Sequence, residues 1–545
     1  MKTLDHLTNL AARLEKYEQI LFGALLLFML WPIWTNKYFL TLDGPCHLYN
    51  SKVLLDFWRG EHVAFFSGFY DLNHEIDPNW FSHIVLANLM RIFSPQLSEK
   101  ILLTSYIIGF LLFSRWLIIA IDPKNRFLIF IPFLFVYNHV FQMGFYNFSF
   151  SLMWMILTLL LYIRYREIWS WYLFTPVIAL SLLLTYITHP LGYLIAIVSL
   201  ALILTFSAIS ISHSFRELLK YTFRSLGVFI ASALPSLLLL IYFVIRRPSH
   251  SIESSQETLD SLGNKIIHLS AIINLTSPED PFAKTAFFFM ASVTALGIII
   301  KLWTRKLNYY DGFFIVVFLL VLAYFFSPGS IGGIATVYER MELLPFIVLP
   351  FWFASISFPR WLSSFIGLFS MALVIGLMAA RIPVHIACSE AVSEYMSVSP
   401  YVRDESTVLP LSYAHNGKKA DGQMIADRTW IFFHAGDYIG TLKPTVMMGN
   451  YEGNTGYFPL LWRGDQNPFA HSSVGDGIEG TPPKIDLDKY EKESNKQVDY
   501  IVLLCLDDQY KTHPNTIDLM NQLQNKHYTK VFTSEHGRAI LYSKN

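Results

Sequence analysis

Along the first 384 residues, long apolar runs alternate with short polar breaks. Runs near 20–40, 99–121, 127–142, 146–163, 171–187, 190–210, 225–245, 284–302, 312–327, 341–358 and 361–384 each approach the roughly 20 residues that an α-helix needs to cross a bilayer. The pattern therefore predicts an α-helical polytopic membrane protein with about eleven spans. The polar stretch from Asn138 to Asn147, between the third and fourth runs, also reads as a re-entrant turn. From residue 385 the pattern shortens. Ile386 to Val402 reads as a helix leaving the membrane, and Thr407 to Leu411, Lys443 to Met448 and Val498 to Leu504 read as strands. Thr516 to Asn525 follows as a helix, and Tyr528 to Thr533 with Ala539 to Ser543 as a closing strand pair. That alternation predicts a small C-terminal α/β domain. The organisation expected is an N-terminal amphipathic segment over 1–19, a membrane domain over 20–384 and a soluble domain over 385–545.

Composition agrees with a lipid solvent. Hydrophobic residues make up 53% and charged residues 15% of the 545, with mean hydropathy +0.40, where an ordinary soluble domain carries about 25% charged residues. The formal net charge is zero, which excludes a basic nucleic-acid footprint, so no nucleic-acid partner is expected. The balance hides an asymmetry: 20 acidic against 15 basic residues from 385 onward, and 21 against 26 before it. Basic residues in the membrane part fall in alternate short loops. Lys124 and Arg126, Arg164 and Arg166, Arg216, Lys220 and Arg224, Lys301, Arg305 and Lys306, and Arg360 lie on one side, and the loops at 138–147 and 188–190 carry no Lys or Arg. By the positive-inside rule the first set is cytoplasmic. The N-terminus is then cytoplasmic, while loop 41–98 and the C-terminal domain lie outside, in the periplasm if this is a bacterial inner membrane. The first run is long and lacks a small-residue cleavage site, so it reads as a retained anchor.

The outer loop 41–98 holds the first candidate chemistry. In Leu42-Asp43-Gly44-Pro45-Cys46-His47 an acid and a histidine stand one helical turn apart. Pro45 to Arg59 and Asn79 to Phe93 read as helices lying along the membrane surface, joined by an acid-rich link containing Glu75 and Asp77. Connectors of this length tend to be functional. Asp43 also suits a helix N-cap before Pro45, so capping and chemistry both remain open for it. His139 and Asn147, and then His189 before Pro190, fall at the outer ends of later spans, where each could equally be a solvated or capping residue. Beyond the outer loop 246–283, with its expected surface helix Lys265 to Leu275, comes the glycine-rich stretch 327–333. This leads into Val337-Tyr338-Glu339-Arg340, where Arg340 with Tyr338 adjacent is placed to grip a phosphate bidentately or to reach lipid headgroups. The three cysteines, Cys46, Cys388 and Cys505, leave a Cys388 to Cys505 disulfide conceivable, but no Cys-x-x-Cys motif marks a structural zinc site. No Gly-rich nucleotide loop or nucleophile elbow occurs.

A first span followed at once by Leu42-Asp43-Gly44, a long outer loop with two interfacial helices, about eleven spans and an outer C-terminal domain resembles the GT-C superfamily of integral-membrane glycosyltransferases. Within it the chain is most similar to bacterial mannosyltransferases, aminoarabinose transferases and oligosaccharyltransferases. The resemblance covers the whole architecture but few motifs: Asp43, and more loosely Glu75-Ile76-Asp77-Pro78 and Arg340. It implies an inverting transfer of sugar from a polyprenyl-phosphate donor to a glycan, lipid or protein acceptor, with Asp43 as general base or metal-coordinating carboxylate. Arg340 would meet the phosphate, and His47, Glu75, Asp77, His139, Asn147, His189 and Tyr338 are candidate substrate contacts. A divalent ion, Mg or Mn, at Asp43 is left open, because the second acid that many members carry at an early outer loop is absent between the third and fourth runs. The rival classes are a transporter or lipid flippase, against which stand the lack of a clear internal repeat and charged residues in spans, such as Arg115 and Arg381, that read as lying near helix ends, and a non-catalytic membrane scaffold with a periplasmic binding domain.

Overall fold

The structure, a computed structural model, describes residues 15–211, 214–246, 271–326, 336–419, 421–472 and 477–544. Most of the expected N-terminal amphipathic segment, the glycine-rich stretch 327–333 and the first part of the expected helix Lys265 to Leu275 lie outside these residues. Among the described residues nine helices are long and apolar enough to cross a membrane. They are α1 (Glu18–Thr35), α4 (Pro95–Ile121), α5 (Tyr146–Tyr165), α6 (Trp171–Thr188), α7 (Pro190–Ile211), α8 (Phe215–Arg246), α9 (Asp280–Thr304), α10 (Gly312–Phe326) and α12 (Arg360–Tyr395). The protein is a multi-pass membrane protein.

Two of the eleven expected spans take other forms. The run 127–142 is not one helix but a chain of short turns: a 3-10 segment Pro123–Phe130, then Phe133–Val136, then His139–Gln142. Pro132 and the Asn138 side chain, which accepts from Phe141 N–H at 2.8 Å, separate these pieces. Residues 127–136 are all buried, and irregular backbone at membrane depth is tolerable only when protein surrounds it. The last expected pair begins with α11 (Val337–Ala354), whose first two turns carry Glu339, Arg340 and Glu342. Both segments still traverse the helical layer. Asn125 Nδ2 donates to the carbonyls of Ala354 and Ile356, at 3.0 and 2.6 Å, at the far end of α11. Gln142 and Met143 meet Leu42 and Asp43 at the other end.

Arg381 departs from expectation as well. The last run continues without a break through residue 385, so Arg381 lies well inside α12 instead of near its end. It is fully buried, paired with Glu279 and donating to the carbonyls of Tyr137 (2.8 Å) and Ile273. Paired in this way a buried guanidinium is tolerated, and it ties α12 to the broken segment.

After the first span come α2 (Gly44–Arg59), a strand β1 (Tyr70–Leu72) and α3 (Phe81–Leu89). Pro45 at the start of α2 and Gly60 just past its end, at φ +74°, are the residues that begin and stop a helix at low cost. In the C-terminal domain β2 (Ser406–Ser412), β3 (Thr445–Met447), β5 (Tyr500–Leu504), β6 (Tyr528–Thr533) and β7 (Ala539–Lys544) form one sheet in the order β3-β2-β5-β7-β6. The first three strands are parallel and the last two pair antiparallel. Helix α14 (Pro514–Asn525) packs on this sheet through Leu519 and Leu523. Two further short elements, α13 (Glu452–Thr455) and β4 (Leu460–Trp462), belong to a long insertion before β5.

The C-terminal domain grips loop 41–98. β4 pairs antiparallel with β1, Tyr70 opposite Trp462. Tyr49 O–H donates to Thr445 O (3.1 Å) and its oxygen accepts Met447 N–H (3.0 Å). Asn50 and Asn450 exchange two amide hydrogen bonds of 2.9 Å, both side chains being buried. One hydrophobic core runs from the membrane helices through α2 into β2 and β5. The three cysteines are free and buried; Cys505 Sγ lies 2.9 Å from Tyr395 O–H, and Cys388 does not bridge to it.

Replacing Asn450 by Ala strands the Asn50 Oδ1 in a buried site, while Asn50 Nδ2 keeps its bond to Cys46 O (2.9 Å), at a cost of about 1–3 kcal/mol. Thermal unfolding in detergent should show the loss, and Asn50→Ala combined with Asn450→Ala should cost less than the two single changes summed.

Candidate functional site

Asp43 is held by backbone before its side chain does anything. Leu42 N–H donates to Gln142 O (3.0 Å) and Asp43 N–H to Met143 O (3.2 Å), docking the start of α2 on the broken segment. The dock works because residue 144 is glycine. Its φ is +79°, and a Cβ there would come within 2.6 Å of Asp43 N. Beneath it, the Glu99 carboxylate accepts from Tyr146 O–H (3.0 Å) and Tyr438 O–H (2.9 Å), and the Tyr146 hydroxyl is also 2.8 Å from Thr41 Oγ1.

Asp43 occupies the N-cap position of α2 but makes no side-chain cap hydrogen bond, and its φ/ψ of −91°/−10° is helical instead of the extended form usual for a cap. Its carboxylate faces a cavity of about 320 Å³, within the range of small-molecule sites. Tyr451 lines the cavity beside it, and His434 Nε2 lies 3.7 Å from Oδ1. Burial raises the Asp43 pKa to about 7, with His47, Tyr451 and Arg340 pulling against that rise. Burial also pushes His434 down to about 3, leaving a neutral imidazole.

His47, Asn147, His189 and Arg340 line the same cavity. The Arg340 guanidinium lies over the Phe145 and Phe148 rings, at 4.4 and 5.8 Å from their centroids. Its Nε is buried without a hydrogen-bond partner, and among the described residues no carboxylate lies within 4 Å of it. His189 Nδ1 accepts Leu191 N–H (3.1 Å) at the start of α7, which leaves Nε2–H as its donor. Burial first, and the Arg340 charge second, hold this histidine well below its ordinary pKa. Asn147 lines the cavity but spends its amide elsewhere, accepting Ser82 N–H (2.8 Å) and donating to Asn79 O (2.7 Å), which pins α3 to α5.

The other sequence candidates stand away from this cavity. Glu75 and Asp77 both pair with Arg246 at the end of α8, and Tyr242 O–H donates to Glu75 at 3.1 Å. They fasten the polar link to the helical layer. His139 lies 3.4 Å from Asn274 O and 3.3 Å from Thr429 Oγ1, on a different face of the broken segment. Tyr338 is partly exposed and lies outside the cavity lining, because successive residues of a helix point to different sides.

The half of the cavity that sequence reading missed comes from the C-terminal domain: Trp430, Phe433 and His434 between β2 and β3, and Tyr451, Tyr457, Phe458 and Glu479 between β3 and β5. His434 stacks on Tyr451, with ring centroids 4.7 Å apart. A signal was present in Ile431-Phe432-Phe433-His434-Ala435-Gly436-Asp437, an apolar stretch without strand alternation that carries a histidine and an acid. Nothing local pointed it at Asp43, which is nearly 400 positions earlier. Asp437, fully buried and raised to about 8 by that burial, lines a recess of about 20 Å³ behind His434.

The nearest ionisable cluster is His47, His83 and Glu452, whose ligand atoms lie within 4.8 Å of one another. Glu452 pairs with His47 Nδ1 and, at 2.8 Å, with His83 Nε2. Although burial works against a charged carboxylate, the two imidazoles hold Glu452 well below the ordinary range. Around Asp43 the fit to Mg or Mn is poor. Such ions take about six oxygen ligands, whereas this carboxylate faces an imidazole, a phenol and the Arg340 charge.

The molecule so defined is a polytopic membrane protein with a largely apolar, aromatic cavity between loop 41–98, the helical layer and a C-terminal α/β domain. Its fold was compared with solved structures, among which it is similar to ArnT from Cupriavidus metallidurans in the apo state. The two share 12% identity over 96% of this chain and 98% of that one, with a TM-score of 0.48. No family model matches the sequence, and no curated protein matches it.

Gly144→Ala should destabilise the protein by about 1–3 kcal/mol, because it strains a left-handed residue and pushes against Asp43 N. A lower melting temperature in detergent is the expected result, with Gly60→Ala, where a Cβ meets open space, as the comparison for left-handed strain alone.

Proposed function

We propose that the protein is a membrane glycosyltransferase of the GT-C type, moving a sugar from a polyprenyl-phosphate donor to an acceptor at the outer face of the membrane. The observation that carries this reading is the pair Asp43 and Arg340: a carboxylate without capping duty and a guanidinium without a carboxylate partner among the described residues, facing one cavity beside the membrane helices. Asp43 takes the proton of the acceptor hydroxyl as that oxygen attacks the anomeric carbon with inversion. A carboxylate with a pKa near 7 is well matched to that task. The departing lipid phosphate gains negative charge, and Arg340 meets it from an apolar, aromatic setting that leaves the cation weakly screened. His189 Nε2–H adds a neutral donor on the same wall. Trp430, Phe433, Tyr457 and Phe458 supply apolar ring faces for the acceptor or the sugar.

The broken segment 123–142 resembles the interrupted helices of transporters. Its residues Phe127 to Val136 are packed among neighbouring side chains and line no described cavity, which favours the enzyme reading.

Purified protein reconstituted in lipid and incubated with polyprenyl-phosphate sugars and candidate glycan, lipid or protein acceptors tests the proposal. Asp43→Asn should lower turnover by about 10²- to 10⁴-fold while leaving the melting temperature close to wild type. Undiminished transfer by that variant would remove Asp43 from the chemistry. Arg340→Ala should lower turnover by roughly 10²- to 10³-fold. Arg340→Lys should recover only part of the loss, because an ammonium restores the charge but not the planar fork. Translocation of the lipid without any sugar transfer would favour a flippase instead.

A further inference from the structure

We propose that His47, His83 and Glu452 form a binding site for one divalent ion of the zinc type, adjacent to Asp43 but not including it. The site does not depend on the sugar-transfer reading.

The three ligands come from three elements far apart in sequence, α2, α3 and α13. Their side chains are 4%, 0% and 0% exposed. The His47 ring is oriented from outside the cluster, since its Nε2–H donates to Gly144 O at 3.0 Å. Fixing one ring nitrogen on a backbone carbonyl is how proteins orient a metal-binding imidazole, because it presents the other nitrogen as a lone pair. That other nitrogen, Nδ1, faces Glu452 Oε1. Close as they are, neither atom has a hydrogen-bond partner of acceptable geometry, and both are buried from solvent. A nitrogen lone pair against a buried carboxylate oxygen is repulsive unless a cation lies between them. On the other side, His83 Nε2 faces the second carboxylate oxygen at 2.8 Å.

Two protons or one divalent ion would fill the facing lone pairs of this arrangement equally. The donor set selects among ions: two imidazole nitrogens and a carboxylate suit zinc, with bonds of about 2.0–2.2 Å, and suit Mg or Mn poorly, since those ions prefer oxygen cages. The ligand atoms all lie within 4.8 Å of one another; to share one ion His47 Nδ1 and Glu452 would separate slightly while His83 moves in, both by small side-chain movements. Three protein ligands leave a fourth position, and His47 borders the Asp43 cavity. Bound there, the ion would clamp both helices of the first outer loop to the C-terminal insertion.

The test uses tag-free full-length protein in detergent, prepared in metal-depleted buffer, with its metal content measured before and after exposure to equimolar zinc and subsequent desalting. About one retained zinc per chain is expected, with a rise of several degrees in melting temperature that the same concentration of magnesium does not produce. Cobalt substituted for zinc should give the visible absorption of a low-coordinate Co(II) site, a readout on the wild-type protein that needs no variant. His83→Ala and Glu452→Gln should abolish both retention and the thermal shift. Absence of stoichiometric zinc and of the cobalt spectrum in wild type would overturn the proposal and leave the cluster as a proton-linked His-Glu-His network. Retention undiminished in both variants would overturn it equally, by placing the ion elsewhere.

Discussion

The structure depends on one buried contact surface, where the insertion before β5 closes onto loop 41–98. Glu452 sits there between two imidazoles, and the Asn50–Asn450 amides pair beside it. Each of these groups is costly to bury alone, and each has a polar partner roughly 370 to 400 positions away. A closed interface of mutually dependent polar groups fixes register more tightly than apolar packing would, because a slip of one residue orphans several of them at once. That rigidity holds His47, Asp43 and the aromatic wall in place.

A second constraint acts through the backbone. The broken segment between Pro123 and Gln142 delivers Met143 and Gly144 to the first residues of α2. A regular helix would have satisfied its own carbonyls and offered none to Leu42 and Asp43. The irregularity costs ordered hydrogen bonds at membrane depth, which is offset by the burial of residues 127–136 and by Asn138 and Arg381 taking up free backbone groups of the segment at Phe141 and Tyr137. Freed from capping by this dock, the Asp43 side chain can face the cavity.

Charge is arranged so that unlike groups do not cancel where chemistry is proposed. Arg246 absorbs Glu75 and Asp77, and Glu279 absorbs Arg381. Arg340 is left against aromatic faces, and Asp43 against a neutral His434. The acids of the polar link, which looked like part of a site in the sequence, are fasteners, and the residues with uncommitted polar atoms are fewer.

The sequence by itself determined the solvent, most of the spans, the two helices of loop 41–98 and the strand-by-strand layout of the C-terminal domain. Apolar periodicity and runs of β-branched residues are local properties of the chain. It also singled out Asp43, His47, His189 and Arg340 as residue types in suggestive places, since each stands at the polar end of an apolar run. Tertiary structure decided which of them share a cavity. It sent His139, Glu75, Asp77 and Tyr338 to other faces, committed Asn147 to holding α3, and brought in His434, Tyr451 and Glu452 from the C-terminal domain. That choice rests on helix rotation, a left-handed glycine and contacts across hundreds of residues. None of these leaves a periodic trace in the chain.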